Sequence, residues 1–520
     1  MVVVKEGKGL MDVKKKIIII GGGIAGLSAG IYGLDNDFDV TIYEKHNIAG
    51  GQCTGWVRDN SFIDGCAHWV VGTSPKSKFY PMWRYVGAFD SNSIVYETEY
   101  FSKFDIDGEI VTFYSDLDKL EKELLRVGPE DKKQIKRFIR GIKAYMHVDV
   151  PINKPLDQYN IFEYIASGLK MLPMAFHYAH YRKISIGEYA LRFKSPIIRK
   201  VLERIMSPNY NIHSLVYTMQ TLAQKDSGVI EGGSLRFAHN IKNNFVSKGG
   251  KIVVNNEIKK IVVENNKVVG VMLKDDSVVK ADYVIATCDI HHTLYDLLES
   301  KYTEKYYSSR FENNKDYPLN CGLHLAYKLT KDMDKLPKMM DFEIPETCFA
   351  NNKYKDITVR NHYFNKTICK DSATLTLLFE ANQSTFDYLV KLDKETYQKM
   401  KMKFANKIKQ YIIDYFKLDE DSISFLDFAT PLTYNRYTNA YKGSYMSFLT
   451  TKNAKGLMKP GIIKGLDNFA LAGQWLMSPG GLPIALFTGK HAIYRICKME
   501  SKKFISLDSA KHYVLDNINV

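Results

Sequence analysis

The sequence lacks the features that mark several common protein classes. Its seven cysteines, at 53, 66, 288, 321, 348, 369 and 497, form no CxxC pair. Neither a disulfide framework nor a zinc knuckle is therefore indicated, and the usage suits a reducing compartment. No uncharged apolar run approaches the roughly 18 to 20 residues that a membrane-spanning helix needs. The basic start is followed by no cleavable apolar h-region, because Ile17–Ile20 stops at three glycines. No internal repeat and no low-complexity tract are present. What the chain does have is length and positive charge: 520 residues, with 72 Lys plus Arg against 58 Asp plus Glu, or +14. A composition of 45% hydrophobic and 25% charged residues excludes wholesale disorder. The length favours two or three domains over one core. The lysines scatter over 14–16, 132–136 and 399–409 instead of gathering on one face among stacking aromatics, so no nucleic-acid partner is expected.

Hydrophobic periodicity organises the rest. Met11 sits just before the first apolar run, so residues 1 to about 10 read as a loose extension. A strand at 16–20, a helix over 24–35 and a strand at 39–43 form a βαβ unit. Helical periods occupy 115–126, 130–146 and a short pair within 185–206. Between 251 and 287 the pattern changes to short strands turned at Asn265-Asn266 and Asp275-Asp276. Further strands are predicted near 322–329, 372–380 and 423–429, with an amphipathic helix around 395–417. The end, 468–498, reads as strand, Gly/Pro loop and helix.

The βαβ unit carries a motif. Gly21, Gly23 and Gly26 stand as GxGxxG between the first strand and its helix. The first allows the tight turn, the second lets backbone approach a pyrophosphate, and the third lets helix and strand pack closely. The helix N-terminus adds N–H groups and partial positive charge for the phosphate. Glu44 ends the next strand, eighteen residues after Gly26. A carboxylate there accepts both ribose hydroxyls and repels a 2′-phosphate. The expected ligand is a dinucleotide with a free ribose. A second glycine turn, Gly50-Gly51, follows about six residues later. A plain NAD site does not demand one, an FAD site brings the chain close to the longer cofactor there, and an incidental surface turn is the alternative. There is one GxGxxG, so a bound NAD(P) is not expected beside it.

With those residues the chain resembles the FAD-dependent carotenoid desaturase superfamily of phytoene desaturases, carotenoid isomerases and retinol saturases. The matching blocks are the 21–26 glycines with Glu44, AGGQCTGW at 49–56 and FIDGCAHWVVGT at 62–73. The His-aromatic-x-x-Gly of the last is closest to the retinol saturase branch. Further matches are 232–261, 268–289, TPLTYNRYTNAYKGSYMSF at 430–448 and FALAGQWLMSPGGLPIALFTGKHAI at 469–493. The resemblance implies an α/β fold: a Rossmann-like FAD-binding domain of the glutathione-reductase/amine-oxidase type, with an interleaved α+β substrate domain. It divides the chain into FAD-binding segments at 1–85, 226–300 and 451–520, a helical lid at 86–225 and a substrate segment at 301–450. It also implies that Gly21, Gly23 and Gly26 hold the pyrophosphate and Glu44 the adenosine ribose. Gly50, Gly51 and Gln52 would flank the pyrophosphate and ribityl chain. Gln52 stands where many members have Arg, which turns a charged phosphate contact into a neutral one. Ile258 would present backbone to the adenine, Gly473 would close on the ribityl chain, and Gly481, Leu482 and Pro483 would line the flavin.

For the chemistry, His68 is the candidate acid or base, beside the alternative of a hydrogen-bonded core histidine next to Trp69. Gln474 and Trp475 are candidates to orient substrate. Cys66 reads as a small hydrophobe, and His291-His292 as surface loop. No metal is expected. Residues 159–183 are aromatic and apolar, interrupted by Pro173 and edged by Lys170, Arg182 and Lys183. They fit either a lid over a substrate tunnel or a helix lying in a membrane interface. No convergent charged set for a small polar substrate stands out. The leading expectation is an oxidoreductase that desaturates, saturates or isomerises a long apolar polyene, isoprenoid or other unsaturated lipid. Its electron donor or acceptor is unassigned. An FAD amine or porphyrinogen oxidase and a non-catalytic lipid or prenyl carrier are the alternatives. The surplus charge leads to an expected cytoplasmic location with peripheral contact on the anionic inner face of the cell membrane.

Overall fold

The computed structural model describes residues 14–508, apart from 67, 91, 149, 457 and 507. The expected N-terminal extension at residues 1–10 lies outside them. The main elements are β1 (Lys16–Ile20), α1 (Ile24–Asp35), β2 (Asp39–Tyr43), β3 (Tyr100–Ile106), β4 (Glu109–Tyr114) and α2 (Ile161–Tyr181). They continue with α3 (Gly233–Ser247), β5 (Lys251–Val253), β6 (Tyr283–Ala286), β7 (Leu319–Leu329), β8 (Met339–Phe349) and β9 (Asn352–Asn361). The series ends with β10 (Ala373–Ala381), α4 (Lys394–Phe416), β11 (Ile423–Ala429), β12 (Phe469–Leu471) and α5 (Leu482–Met499).

A parallel sheet of order β5-β2-β1-β6-β12 forms the first layer. Strands buried on both faces are apolar throughout, and Ile17, Ile18 and Ile19 have no exposed surface. Their two faces feed different cores. Ile17 and Ile19 pack with α1, α3 and α5, while Ile18 packs with Ile258, Ile261 and Leu294. The sheet therefore draws its strands from residues 16–43, 251–286 and 469–471.

The second layer is a larger sheet of order β11-β7-β10-β9-β8-β3-β4, with Ser444–Phe448 paired to β7. Its strands alternate with period two. Leu323, Leu325, Tyr327, Phe342, Ile357, Val359, Leu375 and Leu377 pack on one face against Phe404, Ile408 and Ile412 of α4. The opposite face belongs to the cavity described below. Short helices between 117 and 223 enclose a third core with Phe104 and Phe113 of β3 and β4.

Two local expectations are corrected. Pro173 does not interrupt its helix: α2 runs unbroken from Ile161 to Tyr181, opened by an Asn160–Glu163 capping box. Pro173 and Leu169 are exposed, so water can satisfy the carbonyl that a mid-helix proline leaves without its N–H. His291 and His292 are not surface loop. His292–Leu297 forms a π-helical turn, and His291 stacks on Tyr441 with ring centroids 3.7 Å apart.

Candidate FAD and substrate site

The end of β1 is tied down before the glycines begin. Gly21 N donates to Tyr43 O at 2.8 Å, and Thr287 Oγ1 donates to Ile20 O and Gly21 O, both at 2.9 Å. The turn then enters α1 with Gly23 as its N-cap. Bare backbone is required here, because a Cβ on Gly26 would lie 2.0 Å from Gly21 O. The second glycine turn packs directly against the first: Gly50 N donates to Gly22 O at 2.8 Å, and a Cβ on Gly51 would lie 3.1 Å from Gly23 Cα. The result is a cradle built from glycine backbone at a helix N-terminus.

Glu44 stands beside this cradle, 6% exposed. Its Oε2 accepts from Gly22 N at 2.7 Å and its Oε1 from His46 N at 2.8 Å. Burial raises its pKa against the pull of those two bonds. Each oxygen keeps a lone pair for a further donor. Asn256 N donates to Glu44 O at 2.9 Å, which brings the strand starting at Ile258 to the same place. On the other side, Gln52 Nε2 donates to Ser444 O at 2.8 Å and Gln474 Nε2 to Gln52 Oε1 at 3.1 Å. The two glutamines thus join the first glycine region to the C-terminal segment. Gly473 N is held by Thr488 Oγ1 at 2.9 Å, and Gly481 caps α5, with Leu482 and Pro483 in its first turn.

Gly21, Gly23, Glu44, Gly50, Gly51, Gln52, Ile258, Gly473, Gln474, Gly481, Leu482 and Pro483 all line one continuous cavity of about 1760 Å³. Gly26 lies behind it, and His68 is on its wall. The cavity extends to Met171, Met174 and Tyr178 on α2 and to the free face of the large sheet. Asp64 sets the His68 segment: its carboxylate accepts from Ser234 N at 3.0 Å and Cys66 N at 3.2 Å. Trp69 meets Phe101 edge-on at 5.5 Å. Half-buried Cys66 also lines the cavity. Its neighbour Cys53 donates to Ser234 O at 3.4 Å and is held protonated by Cys66 and by burial. Among the described residues no group of His, Cys, Asp and Glu is arranged to hold a metal ion.

The model of the family described as flavin containing amine oxidoreductase matches residues 24–497. The chain belongs to that family. It is a flavin-dependent oxidoreductase with FAD as cofactor. The chain is 23% identical over 365 residues to a 4,4'-diapophytoene desaturase (4,4'-diapolycopene-forming) from Methylomonas sp., covering 69% of this chain and 68% of that protein. It is 22% identical over 519 residues to a 4,4'-diaponeurosporene oxygenase from Staphylococcus haemolyticus, covering 94% and 98%. The solved cyclohexylamine oxidase from Brevibacterium oxydans superposes with a TM-score of 0.58 at 13% identity, covering 94% of this chain and all of the other. That likeness is one of fold. The resemblance to carotenoid desaturases read from the sequence stands within this family.

The cradle fits the flavin dinucleotide: the site is backbone where a pyrophosphate needs N–H groups, and Glu44 is a buried acceptor beside it. Exchange of Glu44 for Gln would set an amide NH₂ against one of two N–H donors, leaving a buried group unsatisfied at about 1–3 kcal/mol. FAD retention is expected to fall about 10- to 100-fold, read by flavin release on dialysis. Unchanged occupancy would overturn the ribose assignment.

No convergent polar set stands out along the sequence, but the large sheet provides one. His324, Asp356, Thr358, Arg360, Thr376 and Glu380 come from β7, β9 and β10 and line the cavity at alternate positions. Alternation was the available signal, hidden because residues 352–361 carry charged residues on both faces at one end. Burial, followed by the charge of Arg360, lowers His324 to about 4 and His362 to about 3. Folded-state values below the ordinary 6.5 mean that both imidazoles stay neutral as pH falls past 6.5. In histidine-labelled protein, NMR shifts at pH 5.5 are expected to report neutral rings at 324 and 362. Protonated rings there would contradict the enclosure described.

Proposed function

We propose that this oxidoreductase acts on carbon–carbon bonds of a long polyene, isoprenoid or other unsaturated lipid, by desaturation, saturation or isomerisation. The observation that carries the reading is the continuous cavity, which joins the nucleotide cradle to an apolar chamber walled by α2. The similarity to a diapophytoene desaturase supports it. Bound FAD would supply hydride or electron transfer. The chain's own part is to hold an unsaturated carbon beside the loop Gly480–Pro483 and to exclude water. His68 is assigned the role of accepting or returning a proton, and Gln474 that of fixing the loop through Gln52. Anaerobic mixing of the flavoprotein with carotenoid precursors, retinoids, unsaturated fatty acids and amines tests this. With a lipid, the expected result is bleaching of the visible flavin band for desaturation, return of that band in dithionite-reduced protein for saturation, or an altered polyene spectrum without net redox change for isomerisation. Reduction by amines alone would replace the reading with that of an amine oxidase.

The same proposal places the protein peripherally on an anionic membrane. Helix α2 exposes Phe162, Ile165, Leu169, Leu172 and Phe176 at helical spacing, with Phe162 78% and Phe176 84% exposed. Met171, Met174 and Tyr178 on its inner side line the cavity. No helix among the described residues is long and apolar enough to cross a membrane, so α2 would lie in the interface, near the basic Lys170, Arg182 and Lys183. A lipid would then pass beside one helix from bilayer to cavity. Replacing Phe162 and Phe176 with Asp should weaken binding to anionic vesicles at least about tenfold, because each buried phenylalanine contributes about 1.5–3 kcal/mol. Vesicle binding unaffected by salt and by this double change would refute the docking.

A further inference from the structure

Among the described residues the interior arginines have close oxygen acceptors, and Arg360 is the exception. Arg204 donates to Asp341 Oδ1 at 2.6 Å and to Glu343 Oε1 at 3.3 Å, and Arg495 bonds Asp157. Arg310 donates to Tyr306 O at 2.7 Å and lies over the Tyr306 ring at 3.5 Å. Arg360 sits on β9, between Met339 and Thr376 on the neighbouring strands. Among the described residues its guanidinium makes one long contact, Nη2 to Met339 Sδ at 3.5 Å, and no carboxylate lies within 4.0 Å of it. It is half-buried only because one side meets the cavity. The surrounding titratable groups are His68, His324 and His362 and the more distant Asp64. Asp64 already accepts from Ser234 and Cys66. The His362 ring contacts Thr376 Oγ1 at 2.8 Å.

An arginine left this way is costly unless something completes it. A guanidinium offers five donors in a planar fork that matches a carboxylate in two parallel bonds. A purely hydrocarbon substrate would bury that fork with nothing to accept from it. Burial already pushes Arg360 down to about 10, and it remains a cation at neutral pH.

We propose that Arg360 receives the carboxylate end of the substrate, so that the ligand is a long unsaturated chain with one terminal acid rather than a hydrocarbon. This rests on the lipid reading above and narrows it. The imidazoles beside Arg360 are neutral, which leaves its guanidinium as the cation there for a substrate carboxylate. The apolar chamber accommodates the chain, and the carboxylate sets which carbons lie against the loop Gly480–Pro483. Two sources share this chemistry: an unsaturated fatty acid and an isoprenoid acid.

The test is equilibrium dialysis of the flavin-loaded protein against linoleate and linoleyl alcohol, and against retinoate and retinol, below their aggregation limits. In each pair the acid is expected to bind at least tenfold more tightly than the alcohol, and the tighter acid identifies the source. Arg360→Gln should abolish the preference while alcohol affinity and flavin content stay unchanged and the melting temperature does not fall. Arg360→Lys, which keeps the charge without the fork, should restore part of it. Equal binding of acid and alcohol by the unmodified protein would overturn the proposal without any variant. So would an acid preference that survives Arg360→Gln. If a hydrocarbon polyene binds as well as the acids, the assignment of Arg360 falls and the lipid reading stands. If acids, alcohols and hydrocarbons all fail to bind, both fall.

Discussion

Gly26→Ala is expected to yield protein without flavin. The added methyl would lie 2.0 Å from Gly21 O and 3.0 Å from Thr287 Oγ1. Neither neighbour can yield: Gly21 is hydrogen-bonded through its N–H to Tyr43 O, and the threonine hydroxyl is bonded to Ile20 O and Gly21 O. The start of α1 must therefore move away from β1, and with it the N–H groups that face the cradle. Overpacking of this kind costs about 1–3 kcal/mol. Because the displaced element is the binding surface itself, FAD affinity should fall about 100-fold or more. The ratio of visible to ultraviolet absorbance after gel filtration measures it. Gly168→Ala is the control: on α2, with open space around it, it should retain full flavin. Equal flavin content in both variants would show that the close approach at Gly26 does not organise the site.

His68→Asn should reduce turnover about 100- to 1000-fold, the range lost when a positioned acid or base is removed, with flavin content unchanged. Burial, followed by Arg360 and the neighbouring histidines, holds the His68 pKa well below its ordinary value. The ring is then neutral at pH 7 and suited to accept a proton, not to donate one. The acid limb of the rate profile in the unmodified protein should accordingly fall well below pH 6.5, and it should vanish in His68→Asn. A packing role predicts another outcome: loss of stability or flavin, with turnover per bound flavin and the acid limb both preserved. Undiminished turnover would demote His68 to a wall residue beside Trp69.

Much of the cofactor half was legible because its signals are local. The run of four isoleucines ending in glycines marked a strand buried on both faces, and β1, α1 and β2 occupy the stretches predicted from periodicity. The helix expected around 395–417 is α4 at 394–416, since one apolar stripe faces the sheet. The hairpin of β8 and β9 escaped detection. Its residues Glu343 to Asp356 mix charge with apolar positions, and a bend in register between Glu343 and Thr347 breaks the alternation. The pair β3 and β4 carries a local hairpin signal, Asp107-Gly108 between alternating runs, that the expectations left out; only its pairing with β8, more than two hundred residues away, is long-range.

By itself the sequence determined which residues could form a nucleotide cradle, because a glycine turn between strand and helix, with an acid one strand later, is a short-range geometry. It also determined that no charge-free run could span a bilayer. Only the tertiary structure decided what faces the cavity. Arg360, His324 and Thr376 lie on three strands, and none has the others as sequence neighbours. Their convergence, and the missing partner of Arg360, follow from strand register and from which face of the sheet α4 covers, and long-range pairing sets both.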